Sequence, residues 1–194
     1  MKASFVVSPA LKGAAGVESV HTDVLLLCTV AGTELGPTTR AVDESLNGLI
    51  TRKIQGKKVG FTGEVGQMLS IAPKKAPAKR ISIVGLGEVS TLQPRNLCKA
   101  IHMTVEDALK RGETRLAIPV ASHSMSQIKL KGQAKIIREV VESLLVSADF
   151  RDREGTFEVE LLCTPHAARS IREGLAIAPN LDSVCCIDDE EGDD

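Results

Sequence analysis

The sequence predicts an α/β fold, a three-layer arrangement with a mixed sheet in the middle and helices on both faces. Three observations carry this. Short segments of strand character alternate along the chain with segments of helical period, which implies crossover connections and a largely parallel or mixed sheet. Residues 20–30 are an almost unbroken Val/Leu-rich run, the pattern of a strand buried on both sides. The length of 194 residues, with 43% apolar and 25% charged residues, is ordinary for one domain with a real core.

The elements follow in order. Residues 4–7 are short, compatible with a strand, and end at Pro9. The strand at 20–30 is followed by Gly32. Residues 38–53 read as one helix, with Val42, Leu46, Leu49 and Ile50 on one face and Thr38 or Thr39 as its cap. Residues 56–71 read as a hairpin or two short strands punctuated by Gly60, Gly63 and Gly66. A polar loop at 73–79 leads into a strand at 80–87 that ends in glycines. Residues 91–112 read as a helix capped by Thr91, with Pro94 in its first turn and Leu97, Ile101, Val105, Ala108 and Leu109 as its stripe. A strand at 115–120 follows. After Gly132 comes a long helix through Ile136, Ile137, Val140, Val141, Leu144, Leu145 and Ala148. The strand at 156–163 alternates Phe157, Val159 and Leu161 with Glu158 and Glu160. Thr164-Pro165 opens a last helix that Pro179 stops.

Composition narrows function. No apolar run approaches the ~18–20 residues needed to span a bilayer. The N-terminus lacks the long apolar stretch of a secretory signal, so the expectation is a cytoplasmic protein without a membrane partner. Cys28, Cys98, Cys163, Cys185 and Cys186 are odd in number and scattered, which suggests reduced thiols. With 4 Phe, no Trp and no Tyr, the chain has little on which to stack the bases of single-stranded nucleic acid.

The formal charge of −1 hides an asymmetry. Six of the 25 acidic residues lie in 188–194, which leaves 19 against 24 Lys and Arg, a surplus of about +5 in the rest. The expected organisation is one domain over 1–187 and a solvated acidic tail over 188–194. A tail that shields a basic surface is the sharper alternative.

Candidate binding residues lie where strands end. Gly85-Leu86-Gly87-Glu88-Val89-Ser90 joins a strand to a helix, a place where glycines let backbone amides approach a phosphate. The third glycine of the dinucleotide fingerprint is missing, and a tight turn is the plainer explanation. Ser122-His123-Ser124 also follows a strand but lacks a nucleophile elbow. The binding candidates are therefore Gly85, Gly87, Ser90, Ser122 and Ser124. His21, His102, His123 and His166 form no metal motif, and Cys163-Thr164-Pro165-His166 is half of a zinc spacing without the other half. No catalytic residue, metal or cofactor is expected. Lys74, Lys75, Lys79 and Arg80 form a basic loop, with Arg52, Lys53, Lys57 and Lys58 as a second group. These could neutralise phosphates or simply be solvated surface.

Val65-Gly66-Gln67-Met68-Leu69, followed by Arg80-Ile81-Ser82-Ile83-Val84-Gly85-Leu86-Gly87-Glu88, resembles the N-terminal domain of the leucyl aminopeptidases, a cytosolic two-metal peptidase family. Val140-Val141-Glu142-Ser143-Leu144-Leu145 with Phe150 is similar to the family's long helix, although Ser143 stands where Gly is common and Ala148 where Tyr is common. Residues 171–178 are similar to the helix that leads to the catalytic half. The resemblance covers most of 20–180 through order and spacing. It implies a macro-domain-like fold without catalytic residues. The metal-binding segment of the catalytic half, Asn-Thr-Asp-Ala-Glu-Gly-Arg, has no counterpart here.

The expectation is thus a stand-alone, non-catalytic relative that acts as an interaction, regulatory or assembly module through a protein partner or self-association. One alternative is a macro-domain-type binder of ADP-ribose or a related nucleotide, although the usual Asn-Ala-Ala-Asn and glycine-rich phosphate loop are not seen. Another is salt-sensitive DNA binding through the basic loops, which the resemblance supports because bacterial members can bind DNA.

Overall fold

The computed structural model describes residues 1–9, 16–32, 34–56, 60–74, 76–120 and 128–181. At its centre lies β2 (Val24–Thr29), buried at every position. Side chains of a strand alternate between faces. Val24, Leu26 and Cys28 therefore enter one apolar cluster, and Leu25 and Leu27 enter another. β2 pairs in parallel with β4 (Arg80–Gly85) on one side and β5 (Arg115–Pro119) on the other. Beyond β5 come β6 (Thr156–Leu162) and then β1 (Lys2–Ser8), both parallel; beyond β4, β3 (Met68–Ile71) is antiparallel. The sheet is mixed, in the order β1-β6-β5-β2-β4-β3.

Helices cover both faces, as the apolar run required. α1 (Pro37–Ser45) and α2 (Leu49–Ile54) place Val42 and Ile50 against Leu25, Leu27, Ile81 and Ile83. α3 (Pro94–Lys110), α4 (Leu130–Val146) and α5 (Ala168–Leu175) cover the other face. The α3 stripe of Leu97, Ile101, Val105, Ala108 and Leu109 is fully buried. Gly174 of α5 packs so closely on α4 that a Cβ there would lie 2.4 Å from the Lys131 carbonyl oxygen.

Several boundaries differ from the sequence reading. The single helix expected over 38–53 is two. Asn47 and Gly48 take left-handed conformations, φ 54° and 75°, which end α1. The Asp43 carboxylate then accepts the Ile50 and Thr51 amides at 2.7 and 3.2 Å and caps α2. Among the described residues of the hairpin expected over 56–71, β3 is the one strand, and residues 60–67 lead into it as a loop with a turn at Val65-Gly66. Thr91 does not cap α3 but lies in a short 3-10 turn, Val89–Thr91, before Pro94 starts the helix. α4 begins ahead of Gly132, and the last helix begins at Ala168 rather than Thr164. Cys28 and Cys163 are free and buried, as the scattered spacing suggests, whereas Cys98 is disulfide-bonded and departs from it. Cys185, Cys186 and the acidic residues 188–194 lie outside the described residues.

Candidate functional site

In open α/β sheets, ligands sit at the carboxyl ends of strands where neighbouring connections leave toward opposite faces. β2 hands the chain to α1 on one face, while β4 and β5 hand it to α3 and α4 on the other. The carboxyl end of β2 is therefore the place to look. A cleft of about 800 Å³ opens there, lined by Ala31 and Gly32 after β2, Ile54 and Phe61, and by Glu64, Glu88 and Ser90.

The turn after β4 forms one wall, and its amides are already engaged. Gly85 N–H donates to the Gln67 carbonyl at 3.0 Å, Leu86 N–H to Thr29 at 2.8 Å, and Gly87 N–H to Gly63 at 3.0 Å. The Gly87 carbonyl accepts from the Ala31 amide at 2.8 Å. The glycines serve this closeness. A Cβ on Gly85 would lie 2.1 Å from the Glu64 carbonyl oxygen, and one on Gly87 (φ +77°) 2.7 Å from Val65 Cγ2. A Cβ on Gly63 would meet the Val30 carbonyl oxygen at 2.6 Å. The space beside Gly85 and Gly87 is thus filled by residues 63–65, not left open for a phosphate.

Two side chains that the sequence reading did not single out hold this arrangement. The Gln67 side-chain oxygen accepts the Thr62 and Gly63 amides at 2.7 and 3.1 Å, and its amide donates to the Gly60 carbonyl at 3.4 Å. Asn96, buried in the first turn of α3, donates to the Leu86 carbonyl at 2.8 Å. The signal for the turn was present in Gly60, Gly63 and Gly66. Nothing local marked Gln67 as its clasp.

Of the binding candidates, Ser90 is exposed and reaches Glu88 Oε2 at 3.3 Å. Ser122 and Ser124 lie outside the described residues, as do His123, Lys57, Lys58 and Lys75. Lys74 is exposed. Lys79 and Arg80 are at the opposite, amino-terminal end of the sheet, where their amides donate to the Thr22 and Asp23 carbonyls. Arg80 is a correction to the expected basic loop. Its side chain is only 7% exposed and is held by Asp107 at 2.7 Å and by both oxygens of Glu113. A cation at the first position of a buried strand needs such partners. Burial opposes its charge, but Glu113 and Asp107 raise its pKa nonetheless.

Burial pushes the Cys28 thiol up to about 12 and also raises Cys163, so neither is poised as a nucleophile. Among the described residues, no three His, Cys, Asp or Glu side chains are placed to hold a metal ion, and no helix is long and apolar enough to cross a membrane. His21 and His166 are exposed at separate places, and His102 is half-buried on α3.

The profile of the cytosol aminopeptidase family, N-terminal domain, matches residues 24–152. None of the curated proteins matches the sequence. Among solved structures, a tomato leucine aminopeptidase mutant superposes with TM-score 0.64 at 19% identity over 90% of this chain and 36% of that one. This chain therefore spans about a third of that relative's length. The Trypanosoma brucei macrodomain in complex with ADP gives TM-score 0.66 at 13% identity over 90% of this chain and 69% of that one. A macrodomain mutant of Oceanobacillus iheyensis gives 0.65 at 13% identity over 89% and 90%. These likenesses establish the macro-domain-like α/β fold. Through the match over residues 24–152, the chain belongs to the cytosol aminopeptidase family, of which it carries the N-terminal domain.

Proposed function

We propose that this domain is a non-catalytic interaction or assembly module working in the cytoplasm, through self-association or a protein partner. The observation that carries this reading is the closure of the β4 strand end. The Gly85, Leu86 and Gly87 amides and the space beside the glycines are taken by the chain itself. Bond-breaking chemistry needs a nucleophile near a base, or converging metal ligands. The described part of the cleft offers two exposed glutamates and a serine that shares a hydrogen bond with one of them. The test is hydrolysis of leucine 4-nitroanilide by the purified chain with manganese or zinc, beside sedimentation analysis of its self-association. The reading expects no turnover above buffer. Turnover that co-purifies with the chain and survives chelation and reloading overturns it.

A second reading places a nucleotide in the same cleft. It is favoured by the cleft's position at the strand ends and by a macrodomain neighbour described in complex with ADP. Glu64 and Glu88 count against it, because a diphosphate would meet two carboxylates there. Calorimetric titration with ADP-ribose separates the readings: saturable heat supports the second, and none at millimolar ligand removes it. The DNA reading loses Arg80 and retains Lys74, Lys79, Arg52 and Lys53, all exposed, among the described residues.

A further inference from the structure

The amino-terminal end of the sheet carries another cleft, of about 640 Å³, between the start of β2, the residue before β4 and the turn from α3 into β5. Its charged groups divide by exposure. The carboxylates face inward, with the Asp23 side chain 12% and the Glu113 side chain 19% exposed. Both are already engaged. Asp23 accepts from Lys79 Nζ at 2.8 Å and from the Thr114 and Arg115 amides at 3.0 and 3.1 Å. Glu113 is gripped through both oxygens by the buried Arg80 guanidinium.

The cations face outward, with Lys79 77%, Arg111 53% and Arg115 51% exposed. Each makes its ion pair through one nitrogen: Lys79 Nζ to Asp23, Arg111 Nε to Asp107, and Arg115 Nε to Glu158. Among the described residues, the Nη1 and Nη2 groups of Arg111 and Arg115 make no hydrogen bond. An incoming group thus meets recessed carboxylates whose charges are already matched, and projecting guanidinium groups of Arg111 and Arg115 that are paired through Nε to Asp107 and Glu158 but keep their Nη donors outward.

The geometry points to an anion site here, for a small molecule carrying two or more oxyanion groups. Guanidinium forks match the paired oxygens of phosphate and carboxylate. The volume falls in the usual range for small-ligand pockets, roughly 300–1,000 Å³. The site lies at the opposite end of the strands from the cleft discussed above, so it stands or falls independently of the proposed function.

The test is calorimetric titration of the full chain with inorganic tripolyphosphate, with citrate as the carboxylate arm. Saturable binding is expected, weakening as salt rises. Arg111→Gln and Arg115→Gln should each weaken it roughly three- to tenfold, and the double variant should abolish it. Arg111→Lys keeps the charge but loses the fork and should fall between wild type and Arg111→Gln. Arg169→Gln, on an exposed ion pair of α5, should leave binding unchanged. Thermal melts establish that each variant is folded, and the Lys variant carries the test if a Gln variant is not. Tighter binding of tripolyphosphate assigns the site to phosphates, and tighter binding of citrate assigns it to polycarboxylates. No saturable heat with either at millimolar concentration, or binding indifferent to the double variant, overturns the proposal.

Discussion

The Gly85 Cα and the Glu64 carbonyl oxygen approach so closely that a methyl group on Gly85 would lie 2.1 Å from that oxygen. The obstacle is backbone, which cannot swing aside as a side-chain tip can. Gly85→Ala should therefore destabilise the domain by about 3 kcal/mol or more, by forcing the 63–65 segment off the end of β4. Gly112→Ala provides the contrast. Its φ is +74° but nothing lies within 4 Å of the added carbon, so only backbone strain of about 1–2 kcal/mol is expected. Urea unfolding of the two variants measures the difference.

Removing Arg80 should be costly in a specific way. Arg80→Met leaves Glu113 without its partner and Asp107 with Arg111 alone, and about 3–5 kcal/mol of stability should be lost. Adding Glu113→Gln should restore part of it, since one orphaned charge then disappears. A double-mutant cycle by denaturant unfolding reads this coupling. Equal losses in the single and double variants would contradict the pairing.

What the sequence made legible follows the same physics. The unbroken apolar run of β2 and the stripe of α3 could be read because burial on both faces leaves a strand no polar position, while burial of one face imposes the helical period. The break at Asn47-Gly48 was hidden by Val42, Leu46, Leu49 and Ile50, which keep helical spacing across it. The cap that decides the matter, Asp43 on the Ile50 and Thr51 amides, is a contact and not a pattern. Arg80 looked like part of a lysine loop because its neighbours in sequence are lysines. Its partners, Asp107 and Glu113, come from the end of α3 and the turn after it. At Gly85 and Gly87 the residue type announced a close approach, but only the fold reveals that residues 63–65 make it.

The acid limb of the stability curve should depend on Asp23. Burial alone would raise its pKa, but hydrogen bonds from Lys79, Thr114 and Arg115 hold it below the ordinary value of 3.8. Between the folded and unfolded values, the unfolded chain binds more protons. The contribution of Asp23 is therefore full above the ordinary value and is lost as pH falls through the folded value. Asp23→Asn should flatten that limb below about pH 4, in chemical denaturation followed from pH 6 to pH 2.5. An unchanged limb would contradict the assignment.

Ser82 offers a gain. Its hydroxyl is fully buried on β4 and makes no hydrogen bond among the described residues. A buried hydroxyl without a partner costs about 1–3 kcal/mol in desolvation. Ser82→Ala should therefore be neutral or raise the melting temperature by a few degrees. A clear drop would mean that the hydroxyl has a partner in solution.

Hydrogen exchange of the Gly85, Leu86 and Gly87 amides in the full chain, with and without millimolar ADP, tests most directly whether the β4 strand end is closed by its own chain. We expect all three to exchange as slowly as the middle of β4 and to be indifferent to ADP. Rapid exchange in the free protein, or protection that appears only when ADP is added, would contradict the account.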